Sequence, residues 1–166
     1  MRRTIVTLLV ATGIAVTGCS GQPSKSTTTS PSPTASAARQ VMSFGDERAG
    51  KRGILVVGKP AGYALPADPQ RPKELTRGVK FDVTVRNTTK KALQASSFTF
   101  TTTTNGAAAA VVTDAAKNVG DKLPSDVLPG MERTFGIVVA LADKPAEVTV
   151  KIAFERANPL YWTGTA

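Results

Sequence analysis

The chain offers few side chains that can perform covalent or metal chemistry. It has one cysteine, Cys19, and no histidine among its 166 residues. Histidine is the commonest acid–base side chain near neutral pH, and cysteine and histidine are the usual ligands of zinc and copper. The composition therefore argues against imidazole-based catalysis, against a thiol nucleophile beyond Cys19, and against such metal sites. We expect no cofactor.

Serine and carboxylate chemistry has no better support. The sequence contains no nucleophile elbow, no phosphate-binding loop and no carboxylate pair at a telling spacing. Asp114, Asp121 and Asp126 lie in one segment, but their spacing does not match an EF-hand, and Lys117 and Lys122 interrupt it. We interpret these aspartates as turn residues. The sequence predicts no metal site and no enzyme.

Positive charge is densest between residues 71 and 91, where seven basic and two acidic residues give a balance of +5. Such an excess attracts anionic partners. The candidate residues of an anion-binding patch are Arg71, Lys73, Arg77 and Lys80. The alternative is that they are ordinary solvated strand faces and loop ends. Nucleic acid is not an expected partner, because its binding needs interleaved aromatic platforms and Phe81 is the single aromatic residue in this stretch.

The first 18 residues have the layout of an export signal. Arg2 and Arg3 precede an apolar run that extends to Val16 and ends in small residues. The run is shorter than the roughly 20 apolar residues that a membrane-spanning helix requires. We predict that residues 1–18 direct export and are then removed. The two arginines are interpreted as general positive charge and not as a twin-arginine signal.

The end of this signal carries a specific motif. Val16-Thr17-Gly18-Cys19 resembles the lipobox of bacterial lipoprotein precursors, although leucine is commoner than valine at its first position. The resemblance implies diacylglycerol on the Cys19 sulfur, cleavage before Cys19, and acylation of the palmitate type. Two or three acyl chains hold a protein at a bilayer far better than one. The alternative, an ordinary signal peptide cleaved elsewhere, would leave a lone thiol in an exported protein.

Residues 19–39 are predicted to be a flexible linker. The stretch is rich in serine, threonine and proline and has no aliphatic side chain larger than alanine apart from proline. It cannot bury enough apolar surface to offset the entropy of ordering, so we expect a disordered spacer. The chain from Cys19 onward has 19 basic and 12 acidic residues, a net charge of +7. The expected partners are the membrane, through the anchor, and a protein or an anionic envelope polymer.

Residues 40–166 are long enough for one domain, and their hydrophobicity alternates with a period of two. In residues 79–85 and again in residues 148–154, large apolar side chains alternate with polar or small ones. Alternation of this kind predicts half-buried strands of an antiparallel sheet. Further strands are predicted at residues 52–58, 96–104 and 133–141, and weaker ones near Met42, around Val111 and at residues 160–164.

Turn residues separate these strands. Residues 87–91 and Asn105-Gly106 are predicted to be hairpin connections, and Pro129-Gly130 a type II turn. Residues 59–78 are rich in proline and predict an irregular loop with a short edge strand at residues 62–65. About eight short strands and no clear helix indicate an antiparallel β-sandwich, with a closed barrel as the alternative. Trp162 is expected to fill the core.

The whole arrangement resembles small lipoproteins of high-GC Gram-positive, actinobacterial-type bacteria that carry an immunoglobulin-like domain of unknown function. Four short motifs carry the resemblance of the domain: residues 83–89, Phe98-Thr99-Phe100, Asn105-Gly106 (where that family usually has Asp-Gly) and Leu128-Pro129-Gly130. The resemblance implies an immunoglobulin-like sandwich with a binding or interaction role.

The leading hypothesis is a non-catalytic binding module, held on the extracytoplasmic face of the cell membrane by a lipid on Cys19. An envelope enzyme or accessory subunit and a purely structural envelope protein are the alternatives.

Overall fold

A computed structural model describes residues 41–155 and 157–166. Within these ranges the chain forms eleven β-strands and two single-turn 3-10 helices, Ala95–Ser97 and Ala115–Lys117. The strands are β1 (Val41–Ser43), β2 (Glu47–Gly50), β3 (Gly53–Val57), β4 (Ala61–Tyr63), β5 (Arg77–Arg86), β6 (Phe98–Thr104), β7 (Ala107–Ala108), β8 (Ala110–Val112), β9 (Glu132–Leu141), β10 (Glu147–Phe154) and β11 (Leu160–Thr165).

The strands form two sheets with immunoglobulin topology. One sheet has the order β1-β11-β10-β6-β7, and the other has the order β2-β3-β5-β9-β8 with β4 also paired to β5. In immunoglobulin terms, β3-β5-β9-β8 are strands A-B-E-D, and β7-β6-β10-β11 are C′-C-F-G. All pairings are antiparallel except that of β1 with β11. The predicted immunoglobulin-like sandwich is therefore confirmed, and the barrel alternative is wrong because the strands belong to two separate sheets.

The core between the sheets is built by the alternating faces that the sequence predicts. Strands β5 and β9 pair along ten residues, and the inward side chains of β5 from Val79 to Val85 are buried. Phe100 of one sheet meets Phe135 of the other edge-to-face, with ring centroids 5.0 Å apart. The sequence has no cysteine beyond Cys19, so no disulfide joins the two sheets and noncovalent contacts hold them together.

Trp162 is part of this core, as expected. Its side chain is fully buried, and its indole N–H donates a hydrogen bond to the carbonyl oxygen of Asp46 at 3.0 Å. Asp46 belongs to the turn in which the chain crosses from β1 in one sheet to β2 in the other. Trp162 therefore fastens this crossing as well as filling the interior.

A second apolar layer covers the outer face of the sheet that contains β9. Tyr63, Leu65 and Leu75 of the proline-rich loop pack there against Val112, Val119, Val138 and Ala140. This explains why β9 is buried on both faces from Phe135 to Leu141. The loop is irregular, as predicted, and its one short strand, β4, overlaps the predicted edge strand at residues 62–65 by two residues.

Of the three turns predicted from their residue types, two are confirmed and one is wrong. Asn105 and Gly106 both have positive φ angles (49° and 79°), as a type I′ turn between the paired strands β6 and β7 requires. Gly130 has φ 74°, and the Met131 N–H bonds to the Leu128 carbonyl at 3.0 Å, which makes the predicted type II turn. The prediction of a hairpin at residues 87–91 is wrong, because β5 and β6 lie in different sheets and this segment crosses between them.

Gly78 provides a test of how the loop is attached. A β-carbon at Gly78 would overlap the carbonyl oxygen of Tyr63 and lie 2.8 Å from the Leu65 side chain. Tyr63 pairs with Gly78 in the β4–β5 ladder, so this oxygen cannot move without breaking the pairing. We expect Gly78→Ala to lower the free energy of unfolding by about 1–3 kcal/mol. Chemical denaturation measures this loss, and limited proteolysis reports the exposure of residues 59–76.

Gly136→Ala is the matched control for this substitution. Its β-carbon would lie 2.6 Å from Cε of Lys80, a flexible side chain that can move away at little cost, and 3.1 Å from Cγ2 of Val119, which must shift by a few tenths of an ångström. We therefore expect a smaller loss of stability and an unchanged protease pattern. Equal destabilisation by the two substitutions would contradict this account of the attachment.

Candidate functional site

Four connections meet at one end of the sandwich, which we call the loop end. Arg86 at the end of β5 pairs with Ile54 at the start of β3 and with Glu132 at the start of β9. Phe154 at the end of β10 pairs with Phe98 at the start of β6. The connections of the loop end are therefore residues 51–52, 87–97, 113–131 and 155–159. In antibody variable domains the B–C and F–G loops at the corresponding end contribute to the binding surface.

An apolar cleft opens at this end. It has a volume of about 310 Å³, within the range typical of small-ligand sites. Its apolar walls come from both sheets and from the crossing segment, and consist mainly of Leu55, Val85, Leu93, Phe98, Ile152, Phe154 and Leu160. Val85 and Ile152 are buried, whereas Leu55, Phe154 and Leu160 are half-buried and leave apolar surface open to a ligand.

Basic residues line one side of the cleft. Arg48, Lys51 and Arg52 come from β2 and the turn that follows it. Arg48 lies directly opposite Leu55 in the β2–β3 ladder, so both side chains are on the inner side of the sheet. Within residues 41–155 and 157–166, neither Arg48 nor Lys51 has a carboxylate at ion-pair distance. This side of the cleft therefore carries uncompensated positive charge.

Arg52 links the two sides of the loop end. Its guanidinium forms an ion pair with Glu155 and lies 4.6 Å from the centroid of the Phe154 ring. The Arg52 and Glu155 side chains are 53% and 48% exposed. Exposed ion pairs contribute little to stability, typically about 0–1 kcal/mol. The link can therefore open for a competing anion at small cost.

The predicted anion-binding residues on β5 point in different directions. The Arg77 guanidinium donates hydrogen bonds to the carbonyl oxygens of Lys144 and Ala166, both at 3.0 Å, at the end opposite the loop end. Lys80 lies on the outer face of the sheet, where its Nζ is 2.8 Å from a carboxylate oxygen of Asp82. The structure does not bring Arg77 and Lys80 together.

The other two predicted residues belong to the proline-rich loop. Arg71 donates a hydrogen bond to the Pro66 carbonyl at 2.8 Å, and Lys73 is exposed. Neither residue lines the cleft at the loop end. Anion binding by Arg71, Lys73, Arg77 and Lys80 stays a prediction.

Two of the three candidate aspartates serve local structure, and the third, Asp121, is exposed. An Asp126 carboxylate oxygen accepts a hydrogen bond from the Ala95 N–H at 2.8 Å. Asp114 accepts a hydrogen bond from the Tyr63 hydroxyl at 3.1 Å, and its Oδ2 is 3.4 Å from Lys117 Nζ. The part of the chain that the structure describes has no group of three carboxylate, cysteine or histidine side chains placed to hold a metal ion.

The charges around Asp114 keep its carboxylate ionised. Desolvation by itself raises the pKa of Asp114, but the hydrogen bond from Tyr63 and the interactions with Lys117 outweigh it and lower the pKa below 3.8. The hydrogen bond to Asp114 is the main reason that the pKa of Lys117 is raised above 10.5. Asp114 is therefore already paired at neutral pH and is a poor general acid.

Several predicted features lie outside the described residues. These are the signal at residues 1–18, the lipid attachment site Cys19 and the linker at residues 19–39. The predicted domain starts at residue 40, and β1 starts at the next residue, Val41. Within the described ranges, the structure contains no helix with the length and apolarity needed to cross a bilayer.

Comparison with known proteins supports the fold. No protein-family model matches the chain, and no curated protein matches it. A predicted lipoprotein of Bacillus subtilis has a similar structure, with 14% identity and a TM-score of 0.51, and the match covers 74% of this chain and 38% of that one. An uncharacterized β-sandwich protein of Clostridium difficile is also similar, with 12% identity and a TM-score of 0.46 over 75% and 93% of the two chains. The chain thus spans well under half of the Bacillus protein. At 14% identity, the similarity to that protein shows a shared fold alone.

The cleft has no counterpart among the sequence predictions. Its basic residues lie in the segment Arg48-Ala49-Gly50-Lys51-Arg52-Gly53, before the densest basic stretch. The signal that was present is Lys51-Arg52 between two glycines, Gly50 and Gly53, which is typical of a basic turn between two strands. Strand β2 itself is not predicted, because its residues Glu47 to Gly50 show no apolar alternation.

Proposed function

We propose that this protein is a lipid-anchored, extracytoplasmic binding module without catalytic activity, and that the cleft at the loop end is its ligand site. The observation that carries the proposal is the cleft itself. It is open, apolar on both walls and bordered by the B–C and F–G connections, with positive charge on one side.

The composition of the cleft supports binding over catalysis. Its described lining contains no serine, threonine, tyrosine, aspartate or glutamate side chain, and Asn158 is its one uncharged polar side chain. Nucleophilic and acid–base catalysis need a hydroxyl, thiol, carboxylate or imidazole close to the substrate. A hydrolase screen on the purified protein is the check, and activity abolished by a single serine or aspartate substitution would overturn the non-catalytic part.

The lipobox-like residues 16–19 and the linker support the anchor. The Bacillus protein of similar structure is itself a predicted lipoprotein, which agrees with this proposal. The described domain begins at Val41, which pairs with Tyr161, the neighbour of the cleft residue Leu160. The tether therefore joins the domain at the loop end.

Cys19→Ala tests the anchor. We expect a palmitate analogue fed to producing cells to label the wild type and not the variant, because the sulfur is the proposed site of acyl attachment. The wild type should sediment with membranes and be digested by protease added to intact protoplasts. Ser20→Ala is the control and should behave as the wild type. An unlabelled wild type, or label that survives Cys19→Ala, contradicts the anchor.

A further inference from the structure

We infer that the cleft at the loop end receives the single acyl chain of an anionic membrane lipid, with the headgroup against Arg48, Lys51 and Arg52. This inference rests on the proposed function and names its ligand class. It follows from three properties of the site: the apolar walls, the placement of the charges, and the point at which the tether joins the domain.

The apolar walls favour an acyl chain over a peptide. A peptide that entered the cleft would bring backbone N–H and C=O groups that need hydrogen-bond partners. The cleft offers mainly aliphatic and phenyl surface from Leu55, Phe98, Phe154 and Leu160, with the Asn158 amide near its edge. An acyl chain brings no polar groups to satisfy. Each methylene that it buries should tighten binding about fourfold until the cleft is full.

The charges favour an anionic headgroup. Arg48 is half-buried beside the apolar wall and, within the described residues, has no carboxylate partner. Lys51 is exposed in the adjoining turn. Arg52 is paired with Glu155, but both side chains are about half exposed, so a phosphate can replace the carboxylate. Guanidinium groups bind phosphate through paired, charge-assisted hydrogen bonds.

The position of the tether favours a membrane source for the lipid. Residues 20–40 separate Cys19 from Val41 and can span at most about 75 Å when fully extended. They join the domain beside the cleft, through the pairing of Val41 with Tyr161. The linker itself has no side chain that could fill the cleft, since alanine and proline are its largest apolar residues. A lipid of the anchoring membrane is therefore the occupant that we infer.

Photocrosslinking in vesicles tests this inference with the full anchored protein. The wild type is reconstituted through its lipid into phosphatidylcholine vesicles that contain lysophosphatidylglycerol with a diazirine in its acyl chain. After illumination, mass spectrometry maps the crosslinked residues. We expect crosslinks on the walls of the cleft, at Leu55, Phe98 or Leu160. Lysophosphatidylcholine with the same photoreactive chain should give about tenfold less, because its headgroup has no net charge.

Four variants separate the contributions of charge and shape. Arg52→Gln and Lys51→Gln should each lower the yield of cleft crosslinks. The double variant should give about a tenth of the wild-type yield. Glu155→Gln should raise the yield, because it removes the carboxylate that competes for Arg52. Leu55→Trp should abolish cleft crosslinks by filling the space. Lys144→Gln is the matched control, since it removes one exposed charge from the connection between β9 and β10, at the end opposite the loop end, and its yield should equal that of the wild type.

Three outcomes would overturn the inference. They are crosslinks found only outside the cleft, equal yields from the two headgroups, and a yield that falls as much with Lys144→Gln as with Arg52→Gln. Leu55 packs against the core, so the melting temperature of Leu55→Trp is measured first to establish that this variant folds. If it does not fold, the Lys51 and Arg52 variants still test the inference, because these residues are exposed and their substitution should leave the fold intact. Labelling of the wild type by the palmitate analogue and loss of that label in Cys19→Ala establish the anchor separately. Failure of the lipid inference is therefore distinguishable from failure of the proposed function.

Discussion

Replacing Asn87 by alanine is expected to lower the free energy of unfolding by about 3 kcal/mol or more. Asn87 is fully buried, and both ends of its amide are in use. Its Nδ2 donates to the carbonyl oxygens of Lys91 at 2.7 Å and Val127 at 2.8 Å, and its Oδ1 accepts from the N–H and the hydroxyl of Thr89, both at 2.8 Å. Alanine removes all four of these hydrogen bonds from a fully buried position, and each contributes about 0.5–1.5 kcal/mol. The Val127 carbonyl then keeps only the Leu93 N–H as its donor, and the Lys91 carbonyl only the Thr89 hydroxyl.

The substitution should also disturb the cleft, because Asn87 joins two connections of the loop end, residues 87–97 and 113–131. Its backbone N–H donates to the Met131 carbonyl, and its own carbonyl accepts from the Gly130 N–H. Leu93, a wall of the cleft, exchanges two backbone hydrogen bonds with Val127, which Asn87 also contacts. We therefore expect Asn87→Ala to reduce the yield of cleft crosslinks as well as stability.

Urea denaturation followed by fluorescence measures this effect, since the chain has a single tryptophan, and it lies in the core. Thr88→Ala is the matched control, because Thr88 is the exposed neighbour of Asn87 and should change stability by no more than about 0.5 kcal/mol. Asn87→Asp should also destabilise the fold, because it replaces the Nδ2 donor with an oxygen that faces two carbonyl groups. Similar midpoints for Asn87→Ala and Thr88→Ala would refute the role assigned to this side chain.

The second large effect is expected at Trp162. Trp162→Ala should lower the free energy of unfolding by about 3–5 kcal/mol, the usual cost of truncating a buried large aromatic residue. The indole is fully buried on β11 and supplies the hydrogen bond to the Asp46 carbonyl. Against a typical total stability of about 5–15 kcal/mol, this loss is close to the limit that a folded domain can tolerate.

Trp162→Phe separates the two contributions of this residue. It keeps an aromatic ring in the core but removes the N–H donor and part of the ring volume, so we expect a smaller loss of about 1–3 kcal/mol. Calorimetry is the appropriate measurement, because these variants lack the fluorophore. If Trp162→Ala and Trp162→Phe unfold at the same temperature, the ring does not contribute the packing described above.

The strands could be predicted where one face of the sheet is buried and the other meets solvent. Residues 79–85 and 148–154 have this environment, so their sequences alternate between apolar side chains that face the core and polar or small side chains that face outward. Strand β9 is buried on both faces, and apolar residues fill it without alternation. Strands β2 and β7 are short and largely exposed, so burial places no apolar pattern on their sequences.

The partners of the strands were less predictable. Asn87 was recognised as a turn residue, but its neighbours do not reveal that β6 belongs to the opposite sheet. The division of the basic residues on β5 follows from strand geometry, because side chains an odd number of residues apart point to opposite faces. Arg77 and Lys80 are three residues apart and are separated in this way.

The cleft could not be predicted, for a related reason. Its walls combine residues 48–55, 85–98 and 152–160, which become neighbours only when both sheets have formed. The apolar walls come from positions that look like ordinary core residues in the sequence. What distinguishes them is an incomplete cover at one end of the sandwich, and this is a property of the packing of two sheets.

The parallel pairing of β1 with β11 has a mechanical consequence. Val41 and Thr163 lie at opposite ends of this short ladder, in which Val41 pairs with Tyr161 and Ser43 pairs with Thr163. A force applied between Val41 at the start of β1 and Thr165 at the end of β11 would slide the two strands past each other. In that shear geometry the three residue pairs share the load and must yield together, whereas a peeling force would open them one at a time.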